Sequence, residues 1–302
     1  MSNPNLTPAQ QNLLLNMLID LCVYSYSKPS ELVTKVQDMR LKVVWGPAEL
    51  TTPFVPYCLA FIAQSPGTGD YYVVIRGTDP ESLTSWLKED FDISTTKPFT
   101  DFVSSAPQNA NISTGTWNGM NSLLQLTDPN SKLNMLDFLK TQAITSLYIT
   151  GHSLGGTLTP PLFAYLSSNL SGVSCTPVSF AGLTSGDNNF AAYINGLVGN
   201  QLWRVYNSLD IAPLMFGSTN EVESIYASEK KYPVLLTKDL LYHLFKDAAG
   251  KNYTQPATTG AIPVSGTFNK GNWFWDTEAL YQHHATTYQS MIKQQFPVTE
   301  TA

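Results

Sequence analysis

Apolar and polar positions alternate along this chain in two periods, and the switch between them marks out its elements. Tyr57–Ile62 and Tyr71–Arg76 are aromatic and β-branched runs of strand length, and the Ser65-Pro66-Gly67-Thr68-Gly69-Asp70 stretch between them has hairpin-loop composition. Further strand runs are 144–150, 176–181 and 202–207. Stretches near 117–126, 132–141, 157–169 and 187–197 carry the helical period instead. Thr7-Pro8-Ala9-Gln10 is a capping box with proline at the first helical position. It opens an apolar helix through Leu14, Met17, Leu18, Leu21 and Cys22, ending near Ser27. Strand and helix alternating in this way predict a mostly parallel sheet with helices on both faces.

Two stretches depart from the pattern. Pro160 and Pro161 fall inside the 157–169 helix, where each removes a backbone donor, so a kink or an irregular first turn is expected. The 212–275 stretch loses the sheet periodicity, and its best element is the apolar stripe from Leu235 to Phe245. It reads either as a cap inserted into one domain spanning 1–302 or as an ordinary covering helix.

Composition narrows the function. At 302 residues with 43% hydrophobic and 13% charged side chains, the chain has a large core and a sparsely charged surface. A net charge of −6 with no basic patch excludes nucleic acid as a partner. Cys22, Cys58 and Cys175 are widely spaced in apolar runs, the pattern of buried thiols rather than of metal ligands or disulfides. The sequence holds no run of eighteen apolar residues for a membrane span. Met1–Leu6 shows neither a charged n-region nor an A-x-A site, as expected of a cytoplasmic chain or of a secreted one whose leader has been replaced by Met1.

The chemistry concentrates at 144–156. A β-branched strand ends in Gly151-His152-Ser153-Leu154-Gly155-Gly156 and a helical stretch follows, the setting in which G-x-S-x-G forms a nucleophile elbow. Glycines are needed there because side chains at 151 or 155 would strike the neighbouring strand and helix. The helix start directs free N–H groups and positive dipole at the reacting atoms. Ser153 is therefore the candidate nucleophile.

A serine hydroxyl needs an imidazole to take its proton. Of four histidines, His152 adjoins the serine and leaves the turn in another direction, and His243 lies on the cap stripe. That leaves the adjacent pair His283 and His284, of which at most one can face Ser153. The imidazole in turn needs a carboxylate. Asp210 follows the 202–207 strand, at the C-terminal end where parallel sheets place their chemistry. Its rival Asp187, in Ser185-Gly186-Asp187-Asn188, has turn and helix-cap surroundings. Oxyanion donors would be the Leu154 N–H and Thr78, in the Ile75-Arg76-Gly77-Thr78-Asp79 loop.

Val74-Ile75-Arg76-Gly77-Thr78, the Gly-His-Ser-Leu-Gly-Gly elbow, Phe180-Ala181-Gly182, the 204–213 stretch Arg-Val-Tyr-Asn-Ser-Leu-Asp-Ile-Ala-Pro and Gln282-His283 together resemble the class 3 lipase family, in order and spacing, over roughly residues 55 to 292. The resemblance implies an α/β-hydrolase fold and hydrolysis of acyl lipid esters. It implies Ser153, Asp210 and a C-terminal histidine as the triad, with Thr78 in the oxyanion hole and no metal or organic cofactor. The family's histidine often stands five residues before a tyrosine, which favours His283 (before Tyr288) over His284. Two departures stand out: Ser113-Thr114-Gly115 occupies a place where the family often has histidine, and 73 residues (283 − 210) separate acid and base. That long interval points to a cap inserted there and leaves two candidates for the lid: 80–87, after the Thr78 strand where the family carries it, and Leu235–Phe245, favoured for the length of its segment. A short-chain esterase, an acyltransferase or a non-catalytic lipid or protein binder are the alternative readings of the same fold.

Overall fold

The computed structural model describes residues 6–50, 58–77, 92–199, 203–256 and 261–298. The chain opens with α1 (Pro8–Tyr24), whose capping box closes in both directions between Thr7 and Gln10, and α2 (Pro29–Asp38). Three antiparallel strands follow, β1 (Lys42–Leu50), β2 (Cys58–Gln64) and β3 (Tyr71–Ile75). After the small β4 (Thr96–Pro98) and β5 (Asn111–Ser113) ladder come α3 (Thr114–Gln125) and α4 (Met135–Lys140). Then β6 (Ser146–His152), α5 (Leu154–Asn169), β7 (Ser174–Phe180), α6 (Asn188–Val198) and β8 (Trp203–Asn207) alternate. The 212–275 stretch contributes α7 (Leu235–Ala248) and β9 (Ala261–Val264), and α8 (Trp275–His283) and α9 (Ala285–Gln295) finish the chain.

The main sheet runs β1-β2-β3-β6-β7-β8-β9, parallel from β3 onward. Its central strands β3 and β7 are buried on both faces, as a sheet covered on each side requires. One face packs on α1 and α9 through Leu18, Ile19, Val74, Phe180 and Val205. The other, larger cluster runs from Trp45 and Val73 through Leu158 and Leu162 to Leu241 and Leu244 of α7. So α7 covers the core with one side, and leaves Leu235 and Leu236 outside it. Cys22, Cys58 and Cys175 are free and buried, and burial pushes the Cys22 and Cys58 thiols up to about 12.

β1 and β9 are strands that the pattern does not reveal. β1 is interrupted by Gly46-Pro47 and by register shifts on either side of Trp45, which destroy its alternation. β9 carries Pro263, and proline is tolerated there because β9 is the sheet's edge.

The proline pair in α5 also behaves differently from expectation: the helix starts regularly at Leu154 and runs unbroken to Asn169. Pro160 and Pro161 cannot donate to the carbonyls of Gly156 and Thr157. Those two oxygens accept instead from Ser179 Oγ at 2.9 Å and Ser185 Oγ at 2.7 Å. Two hydroxyls thus replace two lost helical bonds and tie the elbow helix to the end of β7. At the place where the family often has histidine, Ser113 caps α3 by accepting the Thr116 N–H at 3.0 Å, a packing role.

Candidate active site

Ser153 stands between β6 and α5 with φ 60° and ψ −123°, a left-handed backbone that a non-glycine residue holds only where its surroundings force it. Those surroundings are close. A Cβ at Gly155 would run into the Ile75 carbonyl, and one at Gly151 into the Gly155 backbone. The Ser153 N–H donates to the Phe180 carbonyl at 3.0 Å, and its carbonyl accepts from Thr157 N–H at 2.9 Å. Leu154 opens α5, so its own N–H has no acceptor within the helix.

Asp210 sits three residues beyond β8, its N–H donating to the Asn207 carbonyl at 3.0 Å. His283 ends α8. The fold brings the three side chains into one line: His283 Nε2 lies 2.8 Å from Ser153 Oγ, and His283 Nδ1 lies 2.9 Å from Asp210 Oδ2. All three are 1% exposed. Asp210 is held at both oxygens. Oδ1 accepts the Ala212 N–H at 2.9 Å, and Oδ2 also accepts the Tyr288 hydroxyl at 2.7 Å. The same hydroxyl takes the Asn207 N–H at 2.9 Å. Burial and the adjacent Asp210 carboxylate push the Tyr288 phenol well above its ordinary value, so it stays a donor.

The other candidates lie elsewhere. His284 is exposed and caps α9, its Nδ1 bonding Thr286. His243 is on the outside of α7, 3.7 Å from Asp239. Asp187 caps α6, accepting the Phe190 N–H at 2.8 Å. Thr78 and the 80–87 segment fall outside the described residues. The preceding Gly77 is described, and it abuts the nucleophile: a Cβ there would lie 2.9 Å from Ser153 Cβ.

His152 packs behind the elbow. Its ring lies 4.9 Å from that of His283 and 5.5 Å from that of Tyr288, and its Nδ1 is 3.0 Å from the Tyr26 hydroxyl. Burial, then the neighbouring His283 ring, hold its pKa well below the usual 6.5. A neutral ring in this place adds no positive charge opposite the imidazolium that His283 becomes during proton transfer.

Sequence reasoning missed the polar chain that fixes α8. Glu278, one turn before Gln282, accepts its Nε2–H at 2.7 Å and also receives Lys231 Nζ at 2.8 Å. Asn207 Nδ2 donates to Gln282 Oε1 at 2.7 Å. Glu278 and Gln282 are fully buried, and their i, i+4 spacing just before a histidine was the available signal. Among the described residues, no group of three or more His, Cys, Asp or Glu side chains is placed to hold a metal ion, and no helix is long and apolar enough to cross a membrane.

Comparison with known proteins gives this arrangement a family. The class 3 lipase model matches residues 72–220, which span β3, the elbow and Asp210. The fold superposes on M37 lipase with a TM-score of 0.81 at 26% identity, over 95% of this chain and 92% of that one. It also matches a Penicillium expansum triacylglycerol lipase (TM-score 0.55, 16% identity, 85% of this chain and 81% of that one). Lip2 lipase from Yarrowia lipolytica gives a TM-score of 0.53 at 16% identity, over 68% of this chain and 73% of that one. The last two are likenesses of fold. A search of curated protein sequences found no match. Over residues 72–220 the chain matches the class 3 lipase family; it has the α/β-hydrolase fold and is a carboxylic ester hydrolase.

Proposed function

We propose that this protein is a lipase cleaving fatty-acyl esters such as acylglycerols, through an acyl-enzyme on Ser153. The observation that carries this reading is the unbroken Ser153–His283–Asp210 hydrogen-bond line at 2.8 and 2.9 Å on a strained elbow. Ser153 Oγ attacks the ester carbonyl while His283 Nε2 takes its proton and passes it to the leaving alcohol. Asp210, anchored at both oxygens, fixes the tautomer that leaves Nε2 free to accept. The tetrahedral oxyanion is taken by the Leu154 N–H and by Thr78, which follows the glycine packed on Ser153. Water activated by the same histidine then releases the fatty acid.

A lipid substrate is supported by where the apolar surface lies. Leu235 (86% exposed), Leu236 (70%), Trp273 (82%) and Phe274 (66%) present large side chains to water. Thr237 Oγ1 bonds Asp276 Oδ1 at 2.6 Å, which draws the two segments together. Exposed clusters of this kind mark surfaces that meet apolar partners. Ser153 itself is only 1% exposed, and the 212–275 insertion is our candidate for a cap over it. The test is hydrolysis of p-nitrophenyl esters from short to long acyl chains. A preference for long chains, abolished in Ser153→Ala, is expected. A preference confined to the shortest esters would make the protein a soluble esterase, and activity surviving in Ser153→Ala would refute the mechanism.

A further inference from the structure

A cavity opens beside β8, near the end of the main sheet. Its volume is about 620 Å³, within the range of ~300–1,000 Å³ typical of small-molecule sites. None of Ser153, Asp210 and His283 lines it. Arg204 and Tyr206, which alternate outward from β8, contribute to one wall. Pro213, Leu214 and Ile225 add an apolar stretch, and Ser218 and Glu221 stand exposed at the rim.

Arg204 is the anomaly. A guanidinium in a parallel strand, flanked in register by Ser179 and Ala261, would ordinarily be paired with a carboxylate. No ion pair to Arg204 is found among the described residues, and its buried Nε has no hydrogen-bond partner. The group stacks over the Tyr206 ring at 4.6 Å, which covers one face and leaves the donor edge for something else. Burial also lowers its pKa, a sign that the charge is poorly solvated where it stands.

We propose that this cavity binds an amphiphilic monoanion, with Arg204 clamping its carboxylate and the Pro213–Leu214–Ile225 wall taking its hydrocarbon. A planar guanidinium matches a carboxylate in two parallel hydrogen bonds. The lining offers one cation and a carboxylate, Glu221, at the mouth, which suits a single negative charge better than a dianion. A fatty acid has this chemistry, and it is the product of the reaction proposed above, on which the choice of ligand rests. The location gives it a consequence. Arg204 is on the strand that leads to Asp210, and Pro213 and Leu214 belong to the turn whose Ala212 N–H holds Asp210 Oδ1. An occupied cavity would therefore bear on the residues that position the triad acid.

The test separates this cavity from the acyl site. Ser153 is first capped with a p-nitrophenyl hexylphosphonate, and decanoate below its micellar range is titrated calorimetrically into the capped protein. We expect one decanoate per chain, at least tenfold weaker binding in Arg204→Leu, and no displacement by decanol. Ser218→Glu puts a second carboxylate at the exposed rim and is expected to weaken decanoate at least threefold; it serves where Arg204→Leu loses its near-ultraviolet circular dichroism. No binding to the capped protein, or unchanged affinity in the folded variant, overturns the proposal. Decyl phosphate binding tenfold more tightly than decanoate would overturn the carboxylate assignment in favour of a phosphate headgroup. Failure of the phosphonate to modify Ser153 would count against the proposed reaction alone, and the same titration of uncapped protein would still decide the cavity.

Discussion

The layer around the elbow and the 212–275 insertion treat their side chains in opposite ways. Around the elbow, groups that water would normally solvate are inside: Ser153, Asp210, His283, Asn207, Gln282 and Glu278 are all buried, and each has a hydrogen-bond partner. In the insertion, large groups that water rejects stand outside, Leu235, Leu236, Tyr242 and Trp273 among them. The first arrangement gives geometric precision, since a buried polar group tolerates few alternatives to its bonded position. The second has a standing cost of about 25 cal/mol per Å² of apolar surface, which is relieved only when something apolar covers it. The regions meet at the Lys231–Glu278 pair, 2.8 Å across, where the insertion grips the helix that ends in His283. The proposed function assigns chemistry and substrate contact to these two different parts of one chain.

Substitutions in the elbow layer should break this contrast most severely. His283→Ala is expected to lower kcat by about 10⁶-fold, the scale seen when a triad histidine is removed, and His284→Ala should stay within about twofold of wild type. The reverse pattern, measured on a soluble ester, would make His284 the base instead. Asp210→Asn comes next, with a loss of roughly 10⁴-fold in kcat, because an amide at that position favours the wrong imidazole tautomer. A loss below tenfold would mean that Ala212 and Tyr288 orient His283 without the carboxylate.

Stability should separate the regions as clearly as activity does. Leu158→Ala, in the fully packed elbow helix, is expected to cost about 2–5 kcal/mol by urea denaturation. Leu236→Ser, on the exposed end of α7, should stay within about 0.5 kcal/mol. Its effect should appear instead as lower activity on an emulsified long-chain ester, with short soluble esters unaffected. Equal losses on both substrates would remove the insertion from lipid contact.

The smallest effect is a pH dependence. His152 is held neutral in the folded state, with a pKa well below 6.5, so the unfolded chain binds the extra proton once the pH falls below 6.5. Stability from this group is therefore intact above pH 6.5 and is lost by about 1 kcal/mol between pH 6.5 and 5.5. His152→Gln should flatten that slope in chemical denaturation. An identical slope in both proteins would show that His152 is protonated in the folded state.

How legible each region was in the sequence follows from the range of its interactions. The elbow was readable because Gly151, Ser153 and Gly155 satisfy a steric requirement within five residues. Asp210 followed from its place after a strand, and the Thr7–Gln10 cap from a spacing of three. The helix through Pro160 and Pro161 was not readable, because the hydroxyls that repair it come from Ser179 and Ser185, 23 and 28 residues beyond the carbonyls they serve. β1 was hidden by Gly46-Pro47 and its bulges. The Lys231–Glu278–Gln282–Asn207 chain spans 47 and 75 residues in its two longest links, and no local pattern announces such pairings. The choice of His283 came from the resemblance, through Tyr288; what the sequence did not show was that Tyr288 bonds Asp210, the acid itself.

The central claim is that Ser153 becomes covalently acylated, with His283 activating it. The direct measurement is reaction with a p-nitrophenyl alkylphosphonate, followed by nitrophenolate release and peptide mass spectrometry. The account predicts one nitrophenolate per chain, a single adduct on the peptide carrying Ser153, and no adduct on the same timescale in His283→Ala. An adduct on another residue with Ser153 unmodified, or labelling of Ser153 at the wild-type rate without His283, would contradict it.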